Sequence, residues 1–449
     1  MNKNRIDVKR LPKDPGPAAW NRILPEERPY PSVSGDMTAD WVVVGGGFAG
    51  ISAARRLSQL TGSDEIVLLE AGRLAEGPAG RNSGFMIDLP HELNSQSYAG
   101  MQEQDLRQIR LNRAAIEFAK EMAGEFGMDK PVFNACGKVT AACTPKGIAH
   151  IDAYRKHLDQ LGERYELRDK EEMRAWTGSD LYDYGFFTPG AVMIQPAAYV
   201  RQVVRGLSER VQVYENSPVT ALEKGQGTTV VTPHGRIRAK GVILAVNGHI
   251  QSFGFYPRQL LHVFTYASMT RALTPEESQG LGGVPDWGIV PADPMGTTVR
   301  RCSDYRGSGD RIVVRNHATL NQSIETSDRD MRRAALLQDR SFANRFPQLA
   351  GIEMEYRWGG RLCLSWNSAP AFGKLDEGLW SACCQNGLGT VKGTLSGMMA
   401  AELAVLGDSP LLQDFMVHQQ PRRLPPEPFL SIGANLTMRA KEWQAGIEL

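Results

Sequence analysis

The chain has 449 residues, 42% of them hydrophobic, enough for a large core and, on length, about two domains. Its 51 basic and 50 acidic residues leave a net charge of +1. That balance gives no basic stripe and no reason to expect nucleic acid as a partner. The six cysteines, Cys136, Cys143, Cys302, Cys363, Cys383 and Cys384, contain no CxxC pair and no regular ladder. Such usage fits reduced thiols in a cytoplasm better than a disulfide framework or a zinc site.

The N-terminal stretch MNKNRIDVKRLPKDPGPAAW has basic residues but no apolar run behind them, so it is not expected to be a secretory signal. Residues 1–39 are rich in proline and charge and read as an arm laid over the body. Regular structure is expected from Trp41. WVVV (41–44) is a buried-strand run, GGGFAGISAARRL turns it into a helix, and IVLL (66–69) is a second buried strand. Strand, glycine turn, helix and strand within about thirty residues open a βαβ unit and hence a parallel sheet.

Apolar residues recur at helical spacing from Glu103 to Phe126, which predicts one long amphipathic helix. GKVTAACT (137–144) reads as a strand, followed by charged helical segments near 147–162 and 170–176. Residues 196–207 read as a helix with Pro196 in its first turn. Residues 219–246 alternate and turn as a β-meander ending in a buried strand, and 255–330 read as several further strands. LWSACC, from Leu379, leads into QNGLGTVKGTLSGMMAAELAVLG, a helix rich in small residues. The most apolar stretch, 391–406, is interrupted by Lys392 and Glu402, so no membrane span is expected. The eight histidines show no HxH or HExxH pattern, and no metal site is expected.

Gly45, Gly47 and Gly50 form G-x-G-x-x-G between the first strand and its helix, with Phe48 and Ala49 opening the helix. The first glycine permits the tight turn, the second lets a pyrophosphate approach, and the third lets helix and strand pack closely. The helix N-terminus offers free N–H groups and partial positive charge to phosphates. Glu70, ending the second strand beside Ala71, is placed to accept both hydrogen bonds of an adenosine ribose. An acid there disfavours NADP but leaves NAD and FAD open.

The loop EAGRLAEGPAGRNSGFM (70–86) favours FAD, whose ribityl chain and flavin extend beyond the diphosphate. Arg81 is expected to meet a phosphate, and Asn82 and Ser83 to bond ribityl or flavin polar atoms. Gly80 and Gly84 would permit close approach, and Phe85 and Met86 would lie against the ring. The competing reading of Arg81 and Asn82 is an ordinary turn.

GDMTADWVVVGGGFAGISAARRL, LLEAGRLAEGPAGRNSGFM, YRWGGRLCLSWNSAPAFGKL and CCQNGLGTVKGTLSG together resemble the FAD-dependent D-amino-acid-oxidase superfamily. The likeness runs from about Pro31 to the C-terminal helix. Within that superfamily the chain is most similar to γ-glutamylputrescine oxidase-like amine oxidoreductases, with glycine and sarcosine oxidases more distant. The resemblance implies that the backbone of Val219 holds the adenine and that Asn247, after the strand VILAV, lies close to FAD. It also implies that Gly387, Leu388, Gly389 and Thr390 present a helix N-terminus to the flavin pyrimidine edge, where Lys392 would help stabilise the reduced ring. Lys392 falls one place later than the sarcosine oxidase lysine, and a surface lysine is the competing reading. Cys363 lies near the cysteine that bonds flavin covalently in sarcosine oxidases; a buried apolar thiol is the alternative. Arg361 matches the position where glycine oxidases hold the substrate carboxylate, against the alternative of a structural ion pair. Trp358 and Trp366 flank that strand. His249 and His262 read as hydrogen-bonded structural residues at the switch between domains.

The expected fold is α/β: a discontinuous Rossmann-like FAD domain with an inserted antiparallel β-sheet substrate domain. The expected boundaries are an arm at 1–39, FAD-domain segments at 40–130, 195–254 and 355–408, substrate-domain segments at 131–194 and 255–354, and a tail at 409–449. The resemblance implies FAD-dependent oxidation of a primary or secondary amine, an amino acid or an N-alkyl amino acid. The product would be an imine that water hydrolyses to a carbonyl compound, with oxygen reoxidising the flavin. The alternatives are a dehydrogenase passing electrons to a quinone or other carrier, an NAD-linked dehydrogenase, and a flavin-binding subunit without turnover.

Overall fold

The apolar run Trp41–Val44 lies at the centre of a parallel sheet because both of its faces are covered. In the computed structural model, which describes residues 4–90, 101–417 and 419–449, that run ends the strand Gly35–Val44. Ile66–Leu69 and then Val211–Tyr214 pair with it on one side, and Gly235–Leu244 on the other, all parallel. Leu379–Cys383 adds a fifth parallel strand against the C-terminal half of Gly235–Leu244. The antiparallel meander Ala221–Gly225, Gly227–Val231 and Gly235–Leu244 is continued by Arg5–Asp7 of the arm. The arm thus contributes more than a cover: residues 35–39 belong to the central strand, where regular structure was expected only from Trp41.

Two helices begin at the C-terminal edge of this sheet. Phe48–Thr61 follows the central strand, and Gly389–Val405 follows the fifth. They pack backbone to backbone. A Cβ at Gly393 would press on Phe48, and one at Gly397 would collide with the Ala49 carbonyl. The small residues of GTLSGMMAA therefore act as a groove for the first helix, within a helix that is buried continuously from Gly393 to Glu402.

An eight-stranded sheet forms the roof. Its order is Met354–Ser365, Leu260–Thr270, Arg311–Leu320, Thr298–Cys302, Trp287–Pro291, Lys138–Ala142, Tyr184–Thr188 and Glu166–Arg168. All neighbours are antiparallel except Trp287–Pro291 with Lys138–Ala142, where the two inserted segments join in parallel. The helix Asp328–Arg345 covers the outer face, burying Phe342 with Trp287, Ile289, Val139 and Ala141.

Sheet pairing departs from one expected boundary, and the expected tail is helical. Met354–Ser365 pairs along its length with Leu260–Thr270 and so belongs to the roof sheet, although 355–408 was assigned to the nucleotide domain. Its alternation is the same whichever sheet it joins, and only the long-range partner decides. The expected tail, 409–449, contains the helices Pro410–Met416 and Phe429–Ala445. The second returns to the roof, where Glu442 accepts a hydrogen bond from the Ala318 amide at 3.4 Å.

Gly397→Val will force the two sheet-edge helices apart. We expect a loss of about 3 kcal/mol or more, at the upper end for overpacking, together with loss of bound flavin. Gly124→Ala, in the open on the helix Gln102–Glu125, will leave stability equal or raise it by up to about 1 kcal/mol. Denaturant unfolding with flavin absorbance as a second readout checks both.

Candidate cofactor and substrate site

Gly45 has φ +110°, and a Cβ there would stand 2.7 Å from the Ala245 carbonyl oxygen. A Cβ on Gly50 would collide with the Gly45 carbonyl. Gly47 differs: its Cβ would meet only Ala79 Cβ, at 3.6 Å. Two glycines of the fingerprint are thus consumed by chain crowding, and the middle one faces room. Gly47 is also the N-cap of Phe48–Thr61 and gives no side-chain cap, so the first amides of that helix point outward unsatisfied by a local side chain.

Glu70 is held by its own surroundings. Its Oε2 accepts from the Gly46 amide at 2.9 Å and its Oε1 from the Gly72 amide at 3.1 Å. Burial pushes its carboxyl above the usual range, and those amides pull it back. Ala71 follows at the strand end, and the buried Val219 precedes the meander. The strand ends carrying Glu70, Gly45 and Asn247 lie side by side along one sheet edge.

At the other end, Asn247 takes φ +47° and its Oδ1 accepts from the Gln385 amide at 3.4 Å. Cys384, Asn386 and Gly387 also have positive φ, so the chain is tightly turned before Gly389. Leu388 caps the helix Gly389–Val405 without a side-chain bond, and a Cβ at Gly389 would meet nothing. Lys392 is half-buried on the first turn. Thr390 Oγ1 donates to the Phe85 carbonyl, and Phe85 packs with Ile87, Met193, Val290 and Leu388. Met86 faces the opposite side, in the main core. The quoted loop and the glycine helix, read separately from sequence, converge at Phe85.

The middle of the loop is committed to the protein itself. Arg81 donates to the carbonyls of Glu76 at 2.6 Å, Pro15 at 2.7 Å, Gly16 at 2.9 Å and Gly359 at 3.3 Å. Its guanidinium ties arm, loop and roof together, in place of the expected phosphate contact. Asn82 donates to the Ala79 carbonyl at 2.6 Å and accepts from the Gly84 amide at 2.8 Å, closing its own turn. The indoles of Trp20 and Trp358 donate to the carbonyls of Asn82 and Arg81 at 2.8 and 3.0 Å. Gly80 and Gly84 fit against Ala75 and Ile194, and the Ser83 carbonyl accepts from Arg300 at 3.3 Å. Trp366, by contrast, is exposed.

Arg361 already holds a carboxylate. Asp14, from the arm, sits 3.0 Å from it in a buried ion pair, and His249 Nε2 contacts the same guanidinium. The place expected for a substrate carboxylate is taken by an internal one. Nothing in the arm's sequence announced Asp14, because 347 residues separate the pair. Burial, then the Arg361 charge, lowers His249 to about 3; the same causes lower His262 to about 4. Cys363 lies buried beside Cys384, and the hydrogen bond between those thiols, then burial, raises its pKa well above the usual value.

Among the described residues no cluster of three or more His, Cys, Asp or Glu side chains is arranged to hold a metal ion. None of the described helices is long and apolar enough to cross a membrane.

Residues 40–403 match the family described as DAO, FAD dependent oxidoreductase. The chain belongs to that family. It is therefore an FAD-dependent oxidoreductase, and the open Gly47, the two uncapped helix N-termini and Glu70 suit the cofactor. The chain is 26% identical over 407 residues to the probable oxidoreductase OrdL of Haemophilus influenzae, covering 86% of this chain and 87% of that one. It is 26% identical over 390 residues to gamma-glutamylputrescine oxidoreductase of Escherichia coli, covering 84% and 85%. Glycine oxidase from Geobacillus kaustophilus superposes with a TM-score of 0.69 at 16% identity, over 87% of this chain and 100% of that one. L-amino acid deaminase from Proteus myxofaciens gives 0.66 at 16%, over 90% and 97%.

The two depressed histidines make the protein acid-sensitive. Each binds a proton more readily unfolded, near pH 6.5, than folded, so its contribution is complete above pH 6.5. It is lost as pH falls toward about 4 for His262 and about 3 for His249. Each adds up to about 1.4 kcal/mol per pH unit to the slope in that window. Unfolding free energies measured between pH 7 and 4 will decline, and His262→Gln will flatten the decline.

Proposed function

We propose that this protein oxidises the carbon–nitrogen bond of an amine or amino acid, giving an imine that water hydrolyses to a carbonyl compound. The observation that carries the proposal is the convergence of two uncapped, glycine-headed helix N-termini and Glu70 on one sheet edge beneath a β roof. The names of the relatives support the substrate class: one is a gamma-glutamylputrescine oxidoreductase, and fold neighbours are a glycine oxidase and an L-amino acid deaminase.

Glu70 would hold the adenosine ribose, and the amides following Gly47 the pyrophosphate. Val219 and Asn247 would line the same course. FAD, when bound, supplies a two-electron acceptor for the substrate C–H and nitrogen lone pair. The chain supplies orientation and electrostatics. The first-turn amides of Gly389–Val405, with Lys392 on that turn, would favour negative charge at the pyrimidine edge. Phe85 and Leu388 would keep water from the face they cover. His249 and His262, depressed by burial, are neutral at physiological pH and contribute no cation there. We place the reaction in the cytoplasm, with oxygen as electron acceptor; a carrier is the alternative.

The test is anaerobic titration of the purified holoprotein with amino acids, N-methyl amino acids, cyclic imino acids and polyamines, following flavin bleaching. Bleaching by at least one class is expected, and readmitted air should restore the colour with release of peroxide. A flavin that none of these amines reduces would sink the proposal. Restoration by a quinone but not by air would assign a carrier instead of oxygen. Glu70→Ala should weaken FAD retention about tenfold or more, about 1.4 kcal/mol, read by flavin released on dialysis.

A further inference from the structure

Lys138 is a buried cation without an ion pair. It opens the strand Lys138–Ala142, is 3% exposed, and donates to Thr140 Oγ1 at 2.9 Å. No carboxylate among the described residues lies within ion-pair distance of it. Asp88, the acid whose charge reaches it, is bound through Oδ2 to Arg113 at 3.0 Å, and its buried Oδ1 has no hydrogen-bond partner. The other buried cations near this layer are occupied: Arg81 by four carbonyls, Arg361 by Asp14, and Arg300 by the carbonyls of Ile194 and Ser83.

The sheet register decides which way Lys138 points. Val139 and Ala141 pack on the outer face under the helix Asp328–Arg345. Lys138 and Thr140 therefore stand on the inner face. Thr140 pairs with Val290, and Val290 packs against Phe85 and Met193. Two places earlier on each strand, the same register sets Gly288 beside Lys138, and a Cβ on Gly288 would strike the Phe85 ring. Lys138 thus looks into the layer between the roof and Phe85, where Phe85 also meets Leu388 of the glycine helix.

A second observation lies directly across the ladder. Thr188 is paired in register with Lys138, fully buried, and its Oγ1 has no hydrogen-bond partner. An ammonium with one hydroxyl acceptor and no ion pair, beside a hydroxyl with no partner, is costly to bury, and an apolar residue of similar length would be more stable. Burial lowers Lys138 to about 8, which still leaves it mostly cationic at neutral pH. The arrangement offers two donors that an anion could accept from.

We propose that Lys138 and Thr188 form an anion subsite on the inner face of the roof, which takes the carboxylate of an acidic amine or amino-acid substrate. The inference rests on the amine-oxidation reading for the identity of its ligand. It moves carboxylate recognition away from Arg361, whose charge is already neutralised inside the protein.

The test titrates holoprotein with benzoate, a carboxylate that cannot be oxidised, and follows the perturbation of the flavin spectrum. Wild type should bind saturably, Lys138→Met at least tenfold more weakly, Lys138→Arg in between, and Thr188→Val about threefold more weakly. The kcat/KM preference for an acidic amine over its uncharged analogue should fall tenfold or more in Lys138→Met. No benzoate response in wild type, or an equal response in Lys138→Met, overturns the subsite. Loss of flavin from Lys138→Met would also overturn it, by assigning the lysine to the cofactor. Benzoate binding is read without turnover, so failure of amine oxidation and failure of the subsite are separate results. If Lys138→Met does not fold, Lys138→Arg and Thr188→Val still decide.

Discussion

The close approach of Phe48–Thr61 and Gly389–Val405 is the constraint on which the rest of the molecule depends. Both helices begin where parallel strands end, so their amide-rich N-termini open onto the same sheet edge. Side-chain bulk at Gly393 or Gly397 would separate them, because the atoms opposite are the backbone or Cβ of Phe48 and Ala49. Backbone cannot move aside as a side chain can, and the spacing is rigid in consequence. In the reading proposed above, that rigid spacing would set the distance between a pyrophosphate at the first helix and a flavin edge at the second.

Around that frame the protein ties its distant parts together with buried donors. Arg81 gathers carbonyls from the arm, the loop and the roof, and the indoles of Trp20 and Trp358 take the two carbonyls beside it. Asp14 and Arg361 make a second tie between arm and roof. Removing one partner of a buried charge pair leaves the other stranded, at a cost of about 3–5 kcal/mol. The arm is thus tied to both the loop and the roof. A carboxylate bound at Arg361 would have to displace Asp14, whereas Lys138 is ion-paired with no carboxylate among the described residues.

Much of the scaffold was legible in the amino-acid order. The fingerprint glycines, Glu70, the helix Gln102–Glu125 and the helix starting at Pro196 all lie where short-range patterns put them. The roles inside the loop 78–84 were not legible. Arg81 and Asn82 have donors suited to a phosphate or a ribityl chain, and equally suited to the carbonyls they bond. Lys138 was hidden for a different reason: in GKVTAACT it reads as a polar residue at the start of a strand, and only the register opposite Thr188 reveals it as buried.

By itself the sequence determined the local vocabulary: strand, glycine turn, helix, an acid at the second strand end, and a second helix made of small residues. Those features act over a few residues, through hard-sphere limits on the backbone and the two periodicities of side chains. Tertiary structure alone decided which charges meet. Asp14 finds Arg361 across 347 residues, and Met354–Ser365 joins the roof in preference to the nucleotide sheet. Partners so far apart leave no periodic trace, because their pairing is set by how sheets and helices stack once every local preference is already satisfied.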